Sequence, residues 1–206
     1  MATGTRPEER PVLRGPDKFA ARRSELAKAT LVTLAELGYA RTSLREIAQN
    51  SAFSHGVLHY YFRDKLDLIA EAVRIYEDTC VTRYDEAVAS ASTAAELRAG
   101  FTTMFIGTLV EDSTLHRLWY DLRNQTRFES SLLYEVGEIE LRRADMIWNV
   151  ISRYCELRGE PVRLSKHLVY TTFDGIFQNG LDNLLNGTDT EVTQARELLD
   201  EAFRTV

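Results

Sequence analysis

The chain has 206 residues, 44 % of them hydrophobic, and a formal net charge of −6, which is enough apolar material to build a real core in one large or two small domains. It holds no apolar run of the roughly 18 residues needed to cross a bilayer, and its first residues lack the apolar stretch of a signal peptide, so a cytoplasmic protein is expected. The only two cysteines, Cys80 and Cys155, form no CxxC pair, which leaves a disulfide framework or structural zinc without support.

The charge is unevenly placed. Residues 1–65 carry 11 Lys+Arg against 7 Asp+Glu, and the remainder 14 against 24. A basic end suits phosphates while an acidic bulk keeps the chain soluble.

Residues 1–16 hold Pro7, Pro11 and Pro16 and no helical period, so they read as a flexible tail, with Arg6, Arg10 and Arg14 spaced through it. From Asp17 to Leu37 the pattern is helical, with Phe19, Leu26, Thr30, Leu34 and Leu37 near one stripe and Arg22, Arg23 and Lys28 mostly off it; Gly38 ends it. Ser43-Leu44-Arg45-Glu46 fits a capping box opening a short second helix. Ala52-Phe53 is the turn, and Ser54 caps a third helix through Leu58 to Phe62. Two helices of about two turns with so short a joint match the helix-turn-helix, whose second member enters the major groove.

The run from Arg22 to Leu68 resembles the DNA-binding domain of the TetR family of transcriptional regulators, with Gly38, Thr42, Ser43, Ile47, Ala48, Ser54, Leu58, Tyr61, Phe62 and Lys65 at the matching positions. Two positions depart from that pattern. The turn glycine is Ala52, which must accept an unusual backbone angle or force a different turn, and the tyrosine after the leucine is His59, a residue whose protonation could add a phosphate contact. The resemblance implies that Thr42, Tyr61 and Lys65 meet phosphates and that Arg45, His55, Val57 and Tyr60 meet bases, with Ser54 and His59 also in the interface. His55 and His59 have metal-ligand spacing, but no third ligand is near, so no metal is expected.

A fourth helix capped by Asp64 is expected to run to about Val88, and Thr93-Ala94-Ala95-Glu96 is a second capping box opening a fifth helix to about Val110. The sixth, from about Ser113 to Phe128, sets His116, Tyr120, Arg123 and Arg127 beside the apolar line of Leu115, Leu118, Trp119 and Leu122, as a pocket wall would. The seventh spans about Ser131 to Arg158, with Trp148 facing a cavity or solvent; the eighth runs from Leu164 to Asn186 and the ninth from Thr190 to Arg204.

The expected fold is therefore all-α, about nine helices: a helix-turn-helix DNA-binding domain over residues 17–64 and a ligand-binding and dimerisation domain over 65–206. As the resemblance implies, His116, Trp119, Tyr120, Arg123, Phe128, Trp148, Tyr170, Phe173 and Phe177 are the candidate effector contacts. The candidate dimer interface is Val169, Ile176, Gly180 and Leu184 with Val192, Ala195, Leu199 and Phe203, from two wide-faced terminal helices. The partners implied are double-stranded DNA, a small-molecule effector and a second copy of the chain, with no cofactor and no membrane. An enzyme is not expected, since there is no Gly-rich phosphate loop, HExxH or nucleophile elbow. The alternative is a ligand-binding or interaction module whose helix-turn-helix has lost DNA binding.

Overall fold

The computed structural model describes residues 15–39, 42–187 and 191–206, and the described residues form ten α-helices and one 3-10 turn with no strand. The predicted tail, with Arg6, Arg10 and Arg14, lies outside the described residues.

Helix α1, Gly15–Leu37, buries Leu26, Ala27 and Leu34 completely. Thr30 is buried on the same face, because its hydroxyl donates to the carbonyls of Leu26 and Ala27 at 3.0 Å and so costs no unmet hydrogen bond. Gly38 ends the helix at φ 73°, a left-handed angle that a side chain would strain. Phe19 departs from the expected stripe: it is 41 % exposed and lies against Tyr60 and Tyr61 instead.

Helices α2, Leu44–Gln49, and α3, His55–Tyr61, follow at the expected places. Ser43 accepts from the Glu46 amide and Ser54 from the Val57 amide, each satisfying a donor that a helix start leaves free. Ala52 does not take a left-handed angle, since among the described residues only glycines have positive φ; the chain has made a different turn.

Helix α4, Lys65–Cys80, is shorter than expected. Val81 and Thr82 put two β-branched residues in succession, the Thr82 hydroxyl turns back to the Thr79 carbonyl, and Arg83 swings inward, so the predicted fourth helix is divided and resumes as α5, Asp85–Ser90. Helix α6, Ala94–Glu111, opens on a complete capping box from Thr93 and Glu96. Helix α7, Ser113–Gln125, stops three residues before the expected end. A 3-10 turn at Ser130–Leu132 leads into α8, Leu133–Arg158, which Gly159 terminates at φ 71°. Helices α9, Lys166–Leu185, and α10, Glu191–Thr205, complete the chain.

The helices after α4 close on a cluster in which Phe101 meets Phe105, Phe173 and Phe203 at ring separations of 5.5–5.8 Å. Each fully buried ring contributes roughly 2 kcal/mol or more. Gly180 sits where α9 crosses α6: a Cβ built there would lie 2.9 Å from Leu109 Cδ2. Most of the residues expected at a dimer interface take part in this packing within the single chain. Val169, Leu199 and Phe203 are 0 % exposed, and Ala195, Ile176 and Gly180 are also buried, while Leu184 and Val192 are partly so. The wide faces of α9 and α10 close the chain's own core, because the helices pack on each other and on α6 and α8.

Candidate DNA-reading helix and effector cavity

Helix α3 stands on Leu58 and Phe62, both buried, and presents His55, His59 and Tyr60 outward, with Tyr60 71 % exposed. Arg45 on α2 and Ser54 are exposed, and Val57, Tyr61 and Lys65 are half-buried. The rings of His55 and His59 meet edge to face at 4.3 Å. Most of the expected reading residues thus share one surface. Thr42 is the exception: it is 4 % exposed and its hydroxyl donates to the Gly38 carbonyl, so it fixes the α1–α2 joint rather than offering itself to a phosphate. Lys65 also has a partner already, the Tyr39 carbonyl at 3.2 Å, with its ammonium 4.3 Å from the Tyr39 ring centre.

The support of α3 depends on a residue that sequence reading left among the basic residues off the apolar stripe. Arg23 Nη1 donates to the Tyr61 carbonyl at 3.0 Å, its Nη2 to Asp67 Oδ1 at 2.6 Å, and its guanidinium lies 4.7 Å from the Phe62 ring centre. One side chain of α1 thereby caps the last turn of α3 and fastens it to the first turn of α4. Burial pushes the Asp67 carboxyl up, but its bonds from Arg23 and the Arg63 amide outweigh that and hold it below its ordinary value.

Between α4, α6, α7, α8 and α9 lies a cavity of about 40 Å³, room for a few water-sized groups. Of the nine expected effector contacts, His116, Tyr120, Tyr170, Phe173 and Phe177 line it. The other four do not. Trp119 is fully buried with its indole face under Arg143, 4.6 Å away. Arg123 is engaged by Asp174 at 2.7 Å and Glu140 at 2.8 Å on the far side of Tyr120. Phe128 lies past the end of α7 and is 85 % exposed. Trp148 is half-buried on α8 away from the cavity.

Sequence reading missed the polar wall. Arg143 grips Glu77 through Nε at 2.8 Å and Nη2, and Glu77 is 0 % exposed. Arg143 Nη2 also reaches His116 Nδ1 at 3.4 Å, and since a guanidinium only donates, Nδ1 is the accepting nitrogen. The imidazole proton is therefore on Nε2, which donates to Tyr76 Oη at 3.0 Å, while Tyr76 donates to Asp112 Oδ2 at 3.0 Å. Burial, reinforced by Arg143 and Arg83, holds His116 well below the usual histidine range and keeps it neutral. Burial likewise pushes the Cys80 thiol up to about 11, so it is an inert wall group. The signal for this network was present in the sequence: Glu77 and Arg143, of opposite sign, fall on the core faces of their helices beside Val73 and Ile147.

Two features connect the cavity to the reading head. Tyr76, Glu77 and Cys80 belong to α4, whose other end carries Asp67 and the α3 clamp. On α7, His116 faces the cavity while its neighbour Arg117 donates to the Ala35 carbonyl at 2.6 Å, at the end of α1.

A short, capped, outward-facing helix on a three-helix support, joined to a cavity-bearing helical domain, is the architecture of a helix-turn-helix regulator. Residues 26–72 match the family described as bacterial regulatory proteins, tetR family. The HTH-type transcriptional regulator BetI of Cronobacter sakazakii is 26 % identical over 189 residues, 89 % of each chain. The HTH-type transcriptional repressor KstR2 of Mycolicibacterium smegmatis is 28 % identical over 85 residues, 41 % of this chain and 42 % of that one. Among solved structures, a transcriptional regulator of Pseudomonas aeruginosa superposes with a TM-score of 0.68 at 16 % identity, covering 93 % of this chain and 95 % of that one. The transcriptional regulator FadR of Bacillus subtilis, in complex with stearoyl-CoA, gives 0.65 at 16 % identity, covering 88 % and 98 %. Over residues 26–72 the chain thus resembles the DNA-binding region of tetR-family regulators, and over most of its length it is similar to an HTH-type transcriptional regulator.

Proposed function

We propose that the chain is a repressor that binds a palindromic operator as a homodimer and is released by a small molecule held in the cavity of the second domain. Its place in this reading is the cytoplasm and its role is regulatory. The observation that carries the reading is that α4 is at once a wall of the cavity, through Cys80, and the support of α3, through Asp67.

One short helix buries too little surface to select a genomic site, whereas two copies read an inverted repeat and add their binding energies. The outward face of α9 suits the second copy. Leu168, Thr171, Gly175 and Asn179 recur on it at helical spacing, all exposed and none charged, and it continues into the groove where Leu133 and Leu141 of α8 stand exposed beside His167. Arg45 and the exposed side of α3 take the base edges, with Tyr60 and Lys65 nearest the backbone. KstR2 is named a repressor and FadR was solved with an acyl-CoA, and both precedents agree with ligand-controlled repression here. A ligand relieves repression only by binding better to the arrangement that misplaces the two α3 helices.

Selection from random duplexes is the test. The full chain enriches an inverted repeat, and Arg45→Ala weakens binding by about 1–3 kcal/mol with relaxed choice at one position per half-site. A folded chain that enriches no sequence belongs instead to the class of binding modules that have lost DNA.

A further inference from the structure

We propose that the effector is a small apolar carboxylate, and that its carboxylate takes the place of Asp112 beside Arg83. This rests on the cavity being the effector site, and it names the chemistry that site accepts.

The charged hydrogen-bonding groups left over in the cavity are donors. Arg143 is 6 % exposed and spends Nε and Nη2 on Glu77 and His116, which leaves the two N–H groups of Nη1 without a protein partner. Arg83 gives Nη1 to Thr108 and Nη2 to Tyr76 and Asp112, and its Nε is buried and unpartnered. The carboxylate acceptors are already used, and the unpartnered hydroxyl on the lining, Tyr170 Oη, can itself donate to a guest. Both oxygens of Glu77 bind Arg143, and Asp174 accepts from Tyr120 at 2.9 Å and Arg123 at 2.7 Å. A buried N–H left unmet is costly, so the site favours a guest that brings oxygen acceptors. A cationic guest would find aromatic faces but also two guanidiniums at the same wall. The remaining lining, including Phe105, Ile147, Phe173 and Phe177 with the adaptable Met146, suits an apolar body.

Charge balance selects Asp112 as the group displaced. Glu77 is fully buried and could not leave Arg143 without stranding both charges, whereas the Asp112 side chain is 35 % exposed and can turn into water. An incoming carboxylate then meets Arg83 with no change in buried charge. The route is laid out by the same residues: Arg83, Thr108 and Asp112 also line a surface cleft with Thr79, Met104 and Gly107, so Arg83 and Thr108 separate the cleft from the cavity. Asp112 is both the last cap of α6 and the residue before α7. Its release unties Tyr76 and Arg83, at the carboxyl end of α4, from the α6–α7 junction.

The test is calorimetric titration of the full chain with acetate, propionate and butyrate, whose short apolar bodies suit a cavity of about 40 Å³, each beside its primary amide and its matching amine. At least one carboxylate binds about tenfold or more tightly than both counterparts. Arg83→Gln abolishes that preference. Asp112→Asn, at a half-buried site where an amide oxygen can still accept from Tyr76, strengthens carboxylate binding several-fold because it removes the competing charge, whereas a merely structural Asp112 would make the variant weaker. The proposal is overturned if no carboxylate binds, if an amide or amine is preferred, or if Asp112→Asn weakens binding. These outcomes need no DNA, so they are separable from the operator selection: loss of the carboxylate preference leaves a DNA-binding repressor with another effector, and loss of DNA binding leaves this site intact.

Discussion

Arg143 of α8 and Glu77 of α4 form a two-pronged ion pair in which the carboxylate has no exposure and the guanidinium very little. It is the deepest charged contact between the helix that carries the reading head and the helix that backs the cavity. Removing one partner strands the other. Glu77→Ala should cost about 3–5 kcal/mol, a fall of roughly 6–20 °C in Tm for a chain of this size. Replacing both, Glu77→Leu with Arg143→Met, should recover most of that loss, because two apolar groups need no partner. Equal melting temperatures for the single and double variants would show that the pair is not the source of the effect.

His116 supplies a pH dependence with a definite sign. Its folded-state affinity for protons is depressed by burial and by Arg143 and Arg83, so the unfolded chain takes up a proton first as pH falls. The neutral form's stability is intact above the ordinary histidine value near 6.5 and is lost progressively below it, by up to about 1.4 kcal/mol per pH unit. Denaturation at pH 7.5 and 5.5, set against His116→Gln, isolates this contribution, since the exposed histidines and the carboxylates remain in both. A variant with the same loss between those values would refute it.

Arg22 and Arg23 are neighbours with opposite expectations. Arg22 pairs with Glu25 on the surface and lies 5.9 Å from the Phe53 ring centre, so Arg22→Ala should leave Tm within roughly a degree or two. Arg23→Ala should lower both Tm and operator affinity, because the Tyr61 carbonyl and Asp67 lose their shared partner and α3 its fixed end. Thermal melts and gel-shift titrations of the two variants side by side decide this.

Two glycines of α9 separate packing from pairing. Gly180→Ala forces a methyl against Leu109 and should destabilise by about 1–3 kcal/mol. A Cβ at Gly175 meets nothing within 4 Å in the single chain, so Gly175→Arg should fold normally and sediment as a monomer. A dimer that survives Gly175→Arg would move the interface elsewhere.

Much of this was legible in the sequence, and the failures share a cause. Helix starts were written locally in Ser43, Ser54, Asp64 and Thr93, whose side chains all cap as their chemistry requires. Stops set by Gly38 and Gly159 were equally local. The errors concern which neighbour a face meets. Val169, Leu199 and Phe203 make the same stripe whether they face their own core or a second copy, and only the packing of α9 and α10 against α6 and α8 decides it. Arg123 stood out as a polar group on a helix face and Arg143 did not, yet Asp174 and Glu140 engage the first while the second lines the cavity. Thr42 matched the family's phosphate contact by position, but its hydroxyl is turned inward to Gly38.

The central claim is that two copies of α3 are held at a fixed separation until the cavity is filled. The direct measurement is native mass spectrometry of the full chain on its selected duplex, with half-site spacing varied one base pair at a time. Two chains per inverted repeat, with binding restricted to half-site centres about 10 base pairs apart or a multiple of that, is the predicted result. One chain per duplex, or equal binding at every spacing, would contradict it.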